Sequence, residues 1–132
     1  MTLIEIFAII IVHWVADFVF QDEKWALGKS KDTWILLKHT SCYSFILFVF
    51  GLIFYFPFNF NGISLWLISI FTLITFVTHT ITDYFTSRIV SKKFKNNQLG
   101  SAIPNFGAFT IIGFDQVLHY IQLFLTYYLL FK

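Results

Sequence analysis

The stretch ISLWLISIFTLITFVTHTITDYFTSRIVSKKFK, residues 63–95, decides the fold class of this chain. Up to Ser87 it is long and apolar enough for a helix that crosses a bilayer, which takes about 20 residues. It then passes into a basic segment that begins at Arg88. His79 and Asp83 lie inside the apolar part, where ionisable groups are rare and mark functional sites. The stretch therefore predicts a membrane-spanning helix that carries a functional polar pair.

The composition of the whole chain also indicates a membrane protein. Its 132 residues are 58% hydrophobic and 12% charged, with a net charge of +2 and a mean hydropathy of +0.75. Soluble domains average about 45–50% apolar and about 25% charged residues. A small soluble fold cannot bury that much apolar surface. The composition therefore argues against a soluble enzyme, a disordered tail and a nucleic-acid-binding module.

Three further apolar windows flank this stretch along the chain. Together the four predicted spans cover about residues 3–20, 33–56, 63–87 and 106–131. No linker or repeat divides the sequence, so we predict one domain of residues 1–132. The predicted fold class is all-α, a polytopic four-transmembrane-helix bundle in a lipid bilayer with no nucleic-acid partner. Whether the bundle forms a homo-oligomer stays open.

The basic residues predict the orientation of the four spans. Eight of the nine Lys and Arg residues fall in or next to the first and third loops: Lys24, Lys29, Lys31, Lys38, Arg88, Lys92, Lys93 and Lys95. Loops rich in Lys and Arg stay in the cytoplasm. Loops one and three are therefore expected in the cytoplasm and both termini outside. The expected location is a bacterial inner membrane, crossed several times.

Ionisable residues inside the predicted spans indicate a buried site. They are His13, Asp17, His39, His79, Asp83, Asp115 and His119. His13 and Asp17, His79 and Asp83, and Asp115 and His119 are pairs four residues apart, which places each pair on one helix face. At 1.5 Å of rise per residue, all of them fall toward the cytoplasmic ends of their helices. We therefore expect one site that opens toward the cytoplasm.

The residue types at this site favour a metal ion. Imidazole nitrogens and carboxylate oxygens suit Zn, Fe, Mn, Ni or Co, and a single cysteine argues against a thiolate site. Zinc is the first expectation, with one ion or with two bridged by an aspartate. All seven ionisable residues are candidate ligands. Whether His39, which has no carboxylate four residues on, and Cys42 join the site stays open.

The main functional hypothesis is a metal-dependent hydrolase. A metal ion activates water for attack at neutral pH, and Asp17, Asp83 and Asp115 are the candidate catalytic carboxylates. Gln21, Arg88 and Gln116 are candidate substrate-binding residues for a phosphate-bearing, small or lipid-associated substrate that enters from the cytoplasmic side. Arg88 is as well explained as an anchor at the membrane surface.

Several alternatives remain open from the residues alone. Intramembrane Asp and His chains also occur in proton, ion and metal transporters. His13, His79 and His119 could each instead hydrogen-bond the Asp of their own pair and only orient the helices. A metal could also stabilise a non-catalytic interaction protein, and a bis-His haem needs two histidines that face each other across a gap.

The combined motifs resemble a family of small membrane proteins of bacteria and phages that is classed as a domain of unknown function. The resemblance rests on four features: H-x3-D-F-x2-Q (His13, Asp17, Phe18, Gln21), an isolated His that opens the second span (His39), H-x3-D followed by a basic residue (His79, Asp83, Arg88), and D-Q-x2-H (Asp115, Gln116, His119). It spans nearly the whole chain and supports the site residues, but it implies no reaction. Members usually carry a basic residue shortly after the third-helix Asp, whereas Thr86 and Ser87 here precede Arg88. A weaker likeness is to membrane-bound metal-dependent hydrolases.

Overall fold

All regular structure in the described part of this chain is helical. A computed structural model describes residues 1–54, 62–99 and 106–131. The order of elements is α1 (Leu3–Trp14), a π-helical turn (Val15–Val19), α2 (Glu23–Gly28), α3 (Thr33–Phe54), α4 (Gly62–Lys95) and α5 (Phe106–Phe131). The predicted loop between the second and third spans and the approach to the fourth span lie outside the described residues.

Local sequence signals explain where these helices begin and end. Thr2 and Glu5 form a capping box at the start of α1. Asp22 accepts a hydrogen bond from the Trp25 backbone N–H at 2.7 Å at the start of α2. Short polar side chains at these positions satisfy N–H groups that have no partner inside the helix. After α4, Asn97 adopts a positive φ of 53°, as is common for Asn where a helix ends.

Within residues 1–54, 62–99 and 106–131, three helices are long and apolar enough to cross a membrane, namely α3, α4 and α5. The first predicted span is helical as well, but it is divided into the 12 residues of α1 and the 5 residues of the π-helical turn. The helix that contains the third predicted span continues past Ser87 to Lys95. The basic residues there are good helix formers, so a loss of apolar character did not mark the end of the helix.

The helices pack so that polar groups lie inside and apolar groups outside. Helix α4 packs against both α3 and α5, and α1 packs against α3 and α5. All four histidines are buried, whereas large apolar side chains such as Ile4, Leu73 and Leu129 are well exposed. A water-soluble monomer does not expose apolar surface on this scale. The described helices are therefore suited to association with a lipid bilayer.

An apolar layer closes one end of this polar interior. It contains Val12, Leu47, Phe71 and Leu123, with Tyr43 and Ala16 at its border with the polar groups. Tyr127 and Phe131 pack against it from the last turns of α5. The polar interior therefore lies toward the other end of the bundle, where α2 and the end of α4 are found.

Candidate metal centre

Polar side chains from four helical segments meet in one buried cluster. The π-helical turn provides Asp17, α3 provides His39, α4 provides one His–Asp pair and α5 provides the other. Each of these residues is at most 7% exposed. The i, i+4 spacing works as expected here, since both members of each pair face inward. This His/Asp cluster consists of Asp17, His39, His79, Asp83, Asp115 and His119.

In one half of the cluster, two imidazoles and two carboxylates converge. The His39 Nε2 atom lies 3.1 Å from Asp17 Oδ1 and 3.2 Å from Asp83 Oδ2. The His79 Nε2 atom lies 3.3 Å from His39 Nε2 and 3.6 Å from each of the same two oxygens. Two nitrogens and two oxygens thus surround one point.

The other half of the cluster is built around His119. Its Nε2 atom lies 3.5 Å from Asp83 Oδ1 and 3.3 Å from Asp115 Oδ2. The Thr86 hydroxyl donates a hydrogen bond of 2.7 Å to Asp115 Oδ1, the carboxylate oxygen that does not contact His119. The Asp115 carboxylate is thereby turned with its other oxygen toward His119.

The unsatisfied atoms of the cluster fit a bound cation. Asp17 Oδ1, His79 Nδ1 and His119 Nε2 are buried and make no hydrogen bond of good geometry within the described residues, although Asp17 Oδ1 lies 3.1 Å from His39 Nε2 and His119 Nε2 lies 3.3 Å from Asp115 Oδ2. A buried polar atom without a partner costs about 1–3 kcal/mol. Three overlapping groups of side chains offer ligand atoms within 4.8 Å of one another, and these groups could hold a metal ion: Asp17–His39–His79, His79–Asp83–His119 and Asp17–Asp115–His119.

Ring stacking fixes the orientation of two of these imidazoles. The His79 ring stacks on the Tyr43 ring, with centroids 3.9 Å apart and an interplanar angle of 19°. On its other side it stacks on His119, at 4.1 Å and 20°. Because the three rings restrain one another, the two Nε2 atoms are held toward the carboxylates.

His13, a predicted ligand, is linked to this cluster through the side chain of Gln116. Its Nδ1 atom lies 2.7 Å from the Tyr43 hydroxyl, and its Nε2 atom lies 2.7 Å from Gln116 Oε1. The Gln116 amide nitrogen in turn donates to Asp17 Oδ2 at 3.0 Å and to Asp115 Oδ2 at 3.3 Å. His13 belongs to none of the three groups found among the described residues. Its contacts instead suit a residue that orients ligands through Gln116.

A lysine from the first loop enters the cluster. The Lys29 ammonium lies 2.7 Å from Asp83 Oδ2 and is 15% exposed, and it donates to Gln21 Oε1 at 3.1 Å. With neutral imidazoles, three carboxylates face one ammonium group. Two negative charges are then uncompensated, which favours binding of a divalent cation.

A cavity of about 540 Å³ leads from the cluster toward the loops. Asp17, Asp83 and Asp115 line its inner end, and Gln21 and Gln116 also contact it. Its walls are largely apolar, with basic side chains near the α2 and α4 ends: Phe18, Leu27, Val90, Phe94, Leu99, Ile111, Ile112, Lys29, Lys31 and Lys95. The cavity therefore joins an apolar channel, basic groups and the His/Asp cluster.

Arg88 and Cys42 stand apart from this arrangement. The Arg88 guanidinium lies 3.6 Å from the centroid of the Tyr84 ring and donates to the Tyr84 carbonyl at 3.0 Å. Neither Arg88 nor Cys42 lines the cavity or belongs to a metal-binding group among the described residues. The substrate-binding role of Arg88 therefore stays a prediction.

Three residues of the site were not predicted in these roles. Tyr43 is four residues after His39, and Thr86 is three residues after Asp83, so helical spacing could have placed both on the site faces. Lys29 offered no such signal, because it is one of several loop lysines. Its position depends on the short helix α2, which lies in a segment predicted from the sequence to be a loop.

The fold and the cluster define a class: a small helical protein suited to a membrane, with buried His and Asp side chains that could hold a metal ion. Its sequence matches the family described as "Protein of unknown function (DUF3307)" over residues 6–132. The chain belongs to this family, as the resemblance in its motifs suggested. No match was found among curated proteins or solved structures.

Proposed function

We propose that this protein is a four-span membrane protein that hydrolyses a phosphate-bearing, lipid-associated substrate with the help of bound metal. In this proposal residues 1–132 form one domain, and α1 with the π-helical turn forms the span that precedes α3, α4 and α5. The lysines around α2 and the basic end of α4 support a cytoplasmic location of loops one and three in this proposal. Both termini then lie outside a bacterial inner membrane.

The orientation can be tested with single cysteines in a Cys42→Ser background. Lys93→Cys should react with an impermeant maleimide only after the cells are permeabilised, because the end of α4 is proposed to be cytoplasmic. Lys132→Cys should react in intact cells. Labelling of Lys93→Cys in intact cells, or protection of Lys132→Cys, would contradict the orientation without affecting the metal site.

The proposed metal centre is the His/Asp cluster, and zinc is the first candidate ion. Its nitrogen and oxygen donors suit a divalent transition metal, and the uncompensated negative charge favours a cation. A divalent ion supplies Lewis acidity toward water and toward a phosphoryl oxygen. One of Asp17, Asp83 and Asp115 accepts the proton of the attacking water, since all three carboxylates border the cavity.

The single observation that carries the hydrolase proposal is the cavity that ends on these carboxylates. Its apolar walls suit a hydrocarbon chain. Near its inner end, Lys29 is placed to bind a phosphate group, and Gln21 and Gln116 offer amide groups to the same space. Water then attacks phosphorus and the ester P–O bond breaks. The alcohol leaves with the proton that the carboxylate accepted from the water.

The arrangement is less favourable for transport across the membrane. A conducting path needs polar side chains or water along its whole length. Beyond the His/Asp cluster lies the apolar layer of Val12, Leu47, Phe71 and Leu123, and the buried polar side chains near it are the uncharged Ser44, Thr75 and Thr126. A site open at one end and closed at the other is suited to catalysis on a substrate that enters and leaves on the same side.

The hydrolase proposal is tested by phosphate release from purified protein loaded with Zn²⁺. The substrates are a long-chain alkyl phosphate in detergent and a short, soluble aryl phosphate. We expect metal-dependent turnover that favours the alkyl phosphate and is lost in Asp83→Asn. Thr78→Ala is the matched control on α4, because its hydroxyl bonds only to backbone carbonyls. Metal binding without turnover of either substrate would contradict the hydrolase and favour a structural metal.

A further inference from the structure

The two oxygens of Asp83 face different sets of ligand atoms. Oδ2 points to the half that contains His39 and His79, at 3.2 and 3.6 Å. Oδ1 points to His119, at 3.5 Å. Asp83 is 1% exposed, so both directions lie inside the protein. A carboxylate in this position can contact two cations at once.

The first set provides four ligand atoms with spacing close to that of a metal site. With metal–ligand bonds of about 2.0–2.1 Å, tetrahedral ligands lie about 3.3 Å from one another. His39 Nε2 lies 3.1, 3.2 and 3.3 Å from Asp17 Oδ1, Asp83 Oδ2 and His79 Nε2. His79 Nε2 lies 3.6 Å from each of the two oxygens, so these atoms can surround one ion if the His79 ring moves slightly toward them.

The second set provides ligands that the first set does not use. His119 Nε2 lies 3.3 Å from Asp115 Oδ2, and none of its contacts within the described residues has the geometry of a good hydrogen bond. With Asp83 Oδ1, this set offers one nitrogen and two oxygens. Three protein ligands leave a position open, as in catalytic sites.

From this partition we infer that the cluster binds two divalent ions, bridged by the Asp83 carboxylate. The inference rests on the metal centre of the proposed function and adds the number of ions and their ligands. His39, His79 and Asp17 hold the first ion, and His119 and Asp115 hold the second. Paired sites of this kind place their ions about 3.5–4 Å apart and clamp both oxygens of a phosphoryl transfer.

The charges support a phosphate as the group that binds between the two ions. Two divalent ions and Lys29 against three carboxylates leave two positive charges, which match a phosphate dianion. Lys29 does not exclude the first ion from Asp83, because a carboxylate oxygen carries two lone pairs and can accept both cations. The cavity reaches Asp83 and Asp115, so the anion has access to this position.

The number of ions is measured on the full chain in detergent, stripped with a chelator and titrated with Zn²⁺. We expect two equivalents in the wild type and one in each of His119→Ala and His39→Ala, which remove ligands of different ions. Asp32→Asn is the control for a general loss of carboxylate charge, and it should bind two equivalents. With Co²⁺, the wild type should give the magnetic resonance signal of an exchange-coupled pair, and both histidine variants should give uncoupled Co²⁺.

The wild-type result decides the inference even if a variant fails to fold. One equivalent in the wild type overturns the inference, and two equivalents of uncoupled Co²⁺ overturn the Asp83 bridge. Phosphate release with one bound ion would leave the proposed function intact while the inference fails. Two coupled ions without phosphate release would do the reverse, and no bound ion would contradict both.

Discussion

Gln116→Leu is expected to weaken metal binding although Gln116 is not proposed as a ligand. The side chain accepts a hydrogen bond from His13 at 2.7 Å and donates to Asp17 and Asp115 at 3.0 and 3.3 Å. Leucine has similar size but makes none of these bonds. Two proposed ligands therefore lose the group that orients them.

The size of the effect follows from these contacts. Loss of a hydrogen-bond partner behind metal ligands typically lowers metal affinity about 10- to 100-fold, which corresponds to about 1.4–2.7 kcal/mol. The variant also leaves a buried His13 nitrogen unpaired, at about 1–3 kcal/mol of folding stability. The stability loss should occur with and without metal, whereas the affinity loss is seen only in the titration.

The assay is competition for Zn²⁺ against a chromophoric chelator, with thermal unfolding of both forms measured in parallel. Gln122→Leu is the matched control, because it is the same substitution on α5 and removes only a bond of 2.6 Å to Thr82. Gln122 belongs to none of the described metal-binding groups. Unchanged Zn²⁺ affinity in Gln116→Leu, or an equal loss in Gln122→Leu, would refute this reasoning.

Three further predictions concern charge, packing and metal removal. Lys29→Met should lower turnover of an anionic substrate by about 10- to 100-fold without lowering Zn²⁺ affinity, since hydrogen bonds to charged groups contribute about 1.5–3 kcal/mol. Lys24→Met, at an exposed position of α2, should change neither turnover nor affinity. An equal effect of both substitutions would contradict the proposed role of Lys29 in substrate binding. Gly51→Leu should destabilise the α3–α4 contact by about 1–3 kcal/mol, because even a Cβ there would lie 3.0 Å from the Ile68 side chain. Gly113→Ala meets nothing within 4 Å and should leave the thermal midpoint unchanged or slightly higher. Removal of metal by a chelator should lower the midpoint by several degrees, since an ion present at a hundred times its Kd stabilises by about 2.7 kcal/mol, and an unchanged midpoint would count against a bound ion.

Much of the architecture could be predicted because apolar length and i, i+4 spacing are local properties. The pair His79–Asp83 faces the interior as its spacing predicts, and α3, α4 and α5 follow the apolar windows. The end of α4 could not be placed by hydropathy, because residues 88–95 continue the helix with basic side chains. Hydropathy reports contact with lipid, whereas a helix beyond the membrane surface is held by its backbone and caps.

The arrangement within the site depends on tertiary contacts that no local pattern contains. His13 has the same spacing to Asp17 as His79 has to Asp83, yet its ring bonds Tyr43 and Gln116 rather than the His/Asp cluster. The π-helical turn that holds Asp17 changes the local helical geometry, and such turns are frequent at functional sites. Conversely, His39 lacks a carboxylate on its own helix. It is nevertheless the histidine whose ring nitrogen lies closest to two carboxylates of other helical segments, at 3.1 and 3.2 Å.

Lys29 lies where it can interact both with the buried carboxylates of the site and with a group that enters the cavity. Burying three carboxylates in an interior out of contact with water is costly unless cations compensate them, and among the described residues one ammonium group lies at Asp83, from a partly exposed lysine. A compensating charge on a loop can move when a substrate arrives, whereas one on a spanning helix is fixed. In the proposed function, Lys29 neutralises Asp83 when the cavity is empty and binds the anionic group of a substrate when metal occupies the cluster. If metal provides the remaining compensation, as that proposal requires, its binding also contributes to the stability of the folded protein.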